Sequence, residues 1–536
     1  MGFLRITEDM IFDYGLWLIN KILDESGKHL SQWPSMPLST YDWDGATTNQ
    51  LIAEQLNFNT EDEKAAASRQ MATFSNEQKE AYNIIWDSFE NHKGKCFFLD
   101  GPGGSGKTYL YQTLCHAVRA ERWIILCVAS TGLAALLLPA GRTAHSTFKI
   151  PISNLSEESI CHIPKESARG DLLRAMRGMI YDECLMDHHF CFEALDRTLR
   201  DIRNEPDKLY GGITVIHGGD FQQILPVVPK GRKEDIIEAS LLRSYLWSHM
   251  TILHLHKNMR LETSRDDNNF AKWLLEVGHG TNMDENGKIL LPENMVTTSS
   301  IFLINWIYGE MIGLPTPPPP AYFLQRAILA PRNADVRQTN LDILGKMPGQ
   351  EIEFWSADSV LEEGKHDLED GNTVPVEYLQ SLEPAGLPPA HLRMKPGCPL
   401  ILLRNLRPAD GLCNGTRMTL LRTQQRVLEV QIMGGEHNGR IALLPRISLI
   451  PSTEEGYTFQ FKRKQFPVKL AFAMTIHKAK GQSLRYVAVD LRVPVFAHGQ
   501  LYVALSRATS ANRVKVLLKN NTDYKTENVV YTEIFQ

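Results

Sequence analysis

Residues 96–118 read CFFLD, then GPGGSGKT, then YLYQTLCHAV: an apolar strand, a glycine-rich loop and an amphipathic helix. Few folds other than a parallel α/β layer accommodate that succession. The loop, Gly101, Pro102, Gly103, Gly104, Ser105, Gly106, Lys107 and Thr108, fulfils the phosphate-binding pattern G-x-x-x-x-G-K-[ST] in every position. Its glycines allow backbone N–H groups to turn inward around phosphate oxygens with no side chain in the way. Lys107 supplies a point charge for the β- and γ-phosphates, and the Thr108 hydroxyl a ligand for Mg²⁺. The helix presents its positive N-terminal end to the same anion. The motif therefore implies ATP with Mg²⁺.

Such a loop needs carboxylates, and the apolar run Met179-Ile180-Tyr181 ends in Asp182 and Glu183. Asp182 is expected to hold Mg²⁺ and Glu183 to polarise the attacking water. A further strand ends in the polar turn GGDFQQ, where Gln223 could sense the γ-phosphate or the water, or simply close an ordinary strand-to-loop transition. Short apolar runs at 124–129, 179–182 and 213–220 alternate with longer amphipathic ones, as in a parallel sheet buried on both faces. The uncharged stretch Trp123 to Ala140 approaches a membrane span in length, but Ser130-Thr131-Gly132 interrupts it. A strand, a tight turn and a short helix account for it better.

The 536 residues suggest several domains, and 43% hydrophobic with 22% charged residues is a globular composition. A net charge of −5 argues mildly against a nucleic-acid partner, although a local positive groove suffices for phosphate contacts. Eight cysteines with no Cys-x-x-Cys pair point to reduced thiols rather than a zinc site or disulfide framework.

The motifs named so far are joined by AFAMTIHKAKGQS (471–483) and GQLYVALSRAT (499–509). ASTGLAALLLPAGRTAHSTFKIPI (129–152) and RNLRPADGLCNGTRM (404–418) add segments specific to one branch. In this order, over most of residues 71–520, they resemble the petite-integration-frequency (Pif-one) DNA helicases of superfamily one. The style of the first 70 residues is similar to the helicase end of Helitron transposon proteins.

The resemblance implies two RecA-like P-loop domains of α/β class, parallel sheets flanked by helices, with a small inserted SH3-like β-barrel. The expected boundaries are a helical appendage (1–70), a first lobe (71–245) with a wedge insertion near 149–170, and a second lobe (246–410 and 468–520). The barrel (411–467) and a C-terminal tail (521–536) complete the layout. Gln78 would read adenine; Arg260 and Arg507 would be arginine fingers from the second lobe. Thr131, Gly132, His145, Ser146, Thr475, His477 and Lys478 would line a single-strand track, with Phe148 a candidate stacking platform. Tyr502 reads better as a core aromatic. Lys480, where relatives commonly carry Gln, reads as a solvated lysine. His254-Leu255-His256 imitates a metal pair, but a strand leading to Arg260 is the plainer reading.

The implied activity is 5′-to-3′ ATP-dependent unwinding of single-stranded and forked DNA by a monomer, in repair, recombination or telomere maintenance. The nucleus is the expected compartment, the mitochondrion the alternative, with no membrane contact. Two other readings are a translocase that does not unwind and an inactive nucleic-acid-binding remnant of a Helitron transposon.

Overall fold

A computed structural model describes residues 8–24, 29–40, 49–152, 154–257, 259, 265–361, 374–451, 457, 459–519 and 523–535. The expected α/β texture is present as two parallel sheets. In the first, β1 (Cys96–Asp100), β2 (Ile124–Ala129), β3 (Arg142–Thr143), β4 (Met176–Asp182), β5 (Thr214–Gly219) and β6 (Met250–His254) lie in the order β3-β2-β4-β5-β1-β6. Alternation along β1 and β2 builds a core on each face. Phe97, Leu99, Ile125 and Cys127 pack toward the P-loop helix Lys107–Ala120; Cys96, Phe98, Ile124 and Leu126 pack toward the helix His189–Arg203.

β6 pairs in parallel with β1, Leu99 opposite Leu253, so the first sheet takes in residues beyond the expected end of its lobe at 245. His254 closes that strand, with Nδ1 3.2 Å from Asp100 Oδ2. The appendage supplies helices Glu8–Asp24, Gln50–Leu56 and Thr60–Met71. The last packs on the P-loop helix through Glu63–His116 (2.6 Å) and Thr113–Gln70 (2.8 Å). No helix among the described residues is long and apolar enough to cross a membrane.

The second sheet orders Ala473–Thr475, Arg326–Ala330, Tyr486–Leu491, Val514–Leu518 and Val296–Thr297, all parallel. Between its strands lies an antiparallel region that starts earlier than the expected barrel, at Ile352–Trp355. It comprises a five-stranded ladder (399–402, 417–423, 427–432, 441–445, 468–470) and ladders of three and two strands. The three-stranded ladder is pinned by Asp358 opposite Arg463, a fully buried ion pair of 2.8 Å.

Candidate nucleotide and strand site

Gly106, at φ 88°, opens the P-loop helix from the left-handed region that a glycine enters without strain. A Cβ there would stand 2.3 Å from Gln78 Nε2, so any other residue would displace that amide as well as strain the backbone. Gln78 itself is buried. Its Nε2 donates to Gly106 O (3.3 Å), while its Oε1 accepts from Ser75 N–H in a capping box. The Lys107 ammonium rests on the loop's own carbonyls, Gly101 O and Pro102 O.

Asp182 ends β4, and Glu183 follows in a left-handed turn at φ 52°. That conformation costs a non-glycine residue about 1–2 kcal/mol and is held by Ser130, whose Oγ donates to Glu183 O (2.8 Å). Burial, then the adjacent Glu183 charge, push the Asp182 carboxyl up to about 7, against the pull of Lys107. Its Oδ1 is buried without a hydrogen-bond partner. An orphaned carboxylate oxygen at the end of a P-loop sheet suits a hard divalent cation, for which Thr108 on the P-loop helix would be a second protein ligand. Burial raises Glu183 as well, but Lys480 and Lys107 outweigh it and hold this carboxyl below its ordinary value.

Lys480 is the clearest departure from expectation. It is 4% exposed rather than solvated, and its Nζ lies 3.0 Å from Glu183 Oε2. A cation of the second lobe is thus docked on the first lobe's water-polarising candidate. Sequence reading missed this because nothing local marks a lysine as buried by another lobe.

Arg507 approaches the cradle from the second lobe. A Cβ at Gly103 would be 3.6 Å from its Nη2. The guanidinium is 4% exposed and donates to Val503 O (2.9 Å), Gln482 O (3.2 Å) and Ser506 Oγ (2.9 Å). Arg260 lies outside the described residues; before it, Met259 N–H donates to Gly104 O (3.0 Å). Gln223 is buried, its Nε2 donating to Asp220 Oδ2 (3.0 Å) and its Oε1 without a partner. Asp220 also accepts from the Tyr502 hydroxyl (3.2 Å), and the Phe221 carbonyl accepts from His498 Nε2 (2.8 Å). The GGDFQQ turn is therefore a seam between lobes, Asp220 is a member that the sequence reading passed over, and Tyr502 is buried within it.

The expected strand residues divide. Thr131 caps a short helix that begins at Gly132, and a Cβ on Gly132 would meet Asn414 O at 2.6 Å. Gly132 is thus one point where the first lobe touches the 404–418 segment. His145 is partly buried and Ser146 exposed. Phe148 is a correction: it is 0% exposed, packed in the first-lobe core with Ile150 and Phe192 as fellow members, and has no face for a base to stack on. Thr475 caps the turn Ile476–Ala479 and His477 lies within it, where burial followed by Lys480 lowers the imidazole to about 4. Burial, then Lys469 and Arg404, lower the Lys478 ammonium to about 8. Those two cations, not singled out from sequence, form a basic cluster with Lys478. A cleft of about 710 Å³ runs between the units, with Thr108, Arg142, Arg417, His437 and Gly481 on its walls.

Known proteins resemble the chain in sequence and in fold. Residues 73–288 match the family described as PIF1-like helicase, and 377–422 match the DNA helicase Pif1 2B domain. The chain is 25% identical to the ATP-dependent DNA helicase PIF1 of Xenopus laevis over 79% of its own length, and spans 59% of that relative. It is 28% identical to the Pif1 helicase of Bdellovibrio bacteriovorus, covering 83% of this chain and 87% of the relative. Among solved structures, a Bacteroides Pif1 helicase in complex with ADP-AlF3 and ssDNA superposes with a TM-score of 0.60 at 22% identity, covering 86% of this chain and 96% of that one.

Proposed function

Because the chain belongs to the PIF1-like helicase family, we propose that it couples Mg²⁺-ATP hydrolysis to 5′-to-3′ movement along single-stranded DNA and to opening of the duplex ahead. The observation that carries the reading is the approach of Arg507, from one lobe, to within 3.6 Å of a Cβ built at Gly103 in the other lobe's glycine cradle. A nucleotide bound there is gripped from both sides, so loss of the terminal phosphate weakens the grip and lets the lobes part.

Lys107 and the loop N–H groups bind the phosphates, Arg507 offsets charge that develops on the terminal one, and Glu183 orients water. Thr108 and Asp182 would hold Mg²⁺, which when bound would help to neutralise phosphate charge. Gln78 is assigned to the base by its motif, and Gln223 to signalling across the lobe seam. Arg260 is assigned as the second finger by its motif. Thr131, Gly132, His145, Ser146, Thr475, His477 and Lys478, with Lys469 and Arg404, provide the strand contacts, acting mainly on phosphates. Forked DNA is the unwinding substrate, repair or recombination in the nucleus the setting, and a monomer the working unit.

The test is ATP hydrolysis with and without single-stranded DNA, followed by unwinding of forks bearing 5′ or 3′ tails. Strand-stimulated, Mg²⁺-dependent turnover, abolished in Lys107→Ala, and opening only of 5′-tailed forks are expected. Turnover indifferent to DNA, or undiminished in Lys107→Ala, would defeat the assignment.

A further inference from the structure

The Lys480–Glu183 pair is made between lobes, at 3.0 Å, by a lysine that is 4% exposed and a carboxylate that is 14% exposed. Lys480 immediately follows the turn Ile476–Ala479, which carries His477 and the Lys478 cation. Two residues on, the Gln482 carbonyl accepts from Arg507 Nη1 (3.2 Å), and the Gln482 amide donates back to Lys478 O (2.9 Å). One short loop therefore ties together the expected strand contacts, the finger and the glutamate.

A carboxylate serves attacking water by accepting its proton-side hydrogen bond. An ammonium at 3.0 Å occupies an acceptor position and stabilises the charged carboxylate, and a charge-assisted contact of this kind is about twice as strong as a neutral one. Neither group can be abandoned in place, because a buried charge without a counter-charge is costly. Oε2 of Glu183 is thereby committed to Lys480, and it becomes available to water when the loop carries Lys480 toward solvent or another anion.

We propose that Lys480 is a positioning residue that restrains Glu183 across the lobe cleft, so that hydrolysis waits for the 475–483 loop to shift when a nucleic-acid strand engages it. The proposal rests on the motor reading above. It assigns the coupling between strand and fuel to one ion pair and makes Lys480 a brake on idle turnover.

The experiment uses the full chain and reads kcat and KM for ATP with and without an oligo-dT strand. Lys480→Gln, which keeps a polar chain without the charge, should raise the strand-free kcat on the order of tenfold. KM for ATP and the strand-stimulated kcat should stay near wild type, so the stimulation ratio collapses. Lys480→Arg, which keeps the charge, should restore the low strand-free rate. Lys480→Met serves as a second neutral variant if the glutamine form is poorly folded. A stimulation ratio in the neutral variants equal to wild type overturns the restraint, as does an equal fall of both rates, which would make Lys480 a helper of the chemistry. Wild-type chain without strand-stimulated turnover would instead defeat the motor reading itself.

Discussion

Replacing Arg507 with alanine separates the chemical task proposed for it as a finger from its place in the fold. The guanidinium donates within its own lobe to Val503 O, Gln482 O and Ser506 Oγ, and extends Nη2 to the Gly103 cradle. Val503 O belongs to the helix Gln500–Leu505, while Gln482 O and the Ser506 hydroxyl lose this donor. The stability loss should therefore be about 1–3 kcal/mol, the cost of buried polar groups left unmatched. The catalytic loss should be larger. An arginine supplied to a transferring phosphoryl group contributes roughly 10³–10⁵ in kcat, and at about 1.36 kcal/mol per decade the lower figure is already about 4 kcal/mol. Strand-saturated ATPase of Arg507→Ala should fall by about that factor, while a fluorescent nucleotide binds within roughly tenfold of wild type. Arg507→Lys should recover little, because a single ammonium cannot hold Gln482 O and Ser506 Oγ while reaching forward. Thermal unfolding of both variants sets the stability term apart from the rate term. A kcat for Arg507→Ala within tenfold of wild type, in a folded protein, refutes the finger.

Two further outcomes concern strand binding and the inserted sheets. The Lys478 ammonium titrates near 8 because of burial, then Lys469 and Arg404, well below its unfolded value of 10.5. The unfolded chain therefore holds more protons between those values, so stability should rise with pH across this window while strand affinity falls, since phosphate needs the charged form. Fluorescence anisotropy from pH 7 to 9.5 should show the fall, and Lys478→Arg should flatten it; an unchanged profile in that variant excludes Lys478 from the track. In the insert, Arg463→Met should cost about 3–5 kcal/mol in denaturant unfolding, because Asp358 is left charged and buried. Adding Asp358→Leu should recover much of that, and a single-variant loss below about 1 kcal/mol would show the pair to be dispensable.

What the sequence made legible follows the range of the interactions. The cradle is a local device: an apolar strand, glycines that permit φ 88° at Gly106, and a helix that starts at Lys107 can all be read within about 25 residues. Asp182 and Glu183 were legible for the same reason, as the polar end of an apolar run. The lobe boundary was less so. The run at 250–254 is a strand by composition, but which sheet receives it is decided by the free edge of β1, and no periodicity records that edge. The antiparallel insert, similarly, begins with a strand at 352–355 whose partner at 391–394 is distant in sequence.

Side-chain roles failed in opposite directions for one physical reason. Phe148 lies in a segment expected to touch the strand, yet its helix places it in the same buried core as Phe192 and Ile150, where hydrophobic burial of an aromatic outweighs any gain from exposing it to a base. Lys480 carries the residue type most often left in water, yet an anion from the other lobe makes burial tolerable. Burial is a property of the assembled lobes, and a lysine adjoining a turn is ambiguous until its counter-charge is located. That counter-charge here is Glu183, set in its left-handed turn by Ser130. The turn that would present the glutamate to water is thus the same turn that lets Lys480 reach it, and any change that relaxes the turn should loosen the proposed brake and weaken hydrolysis together.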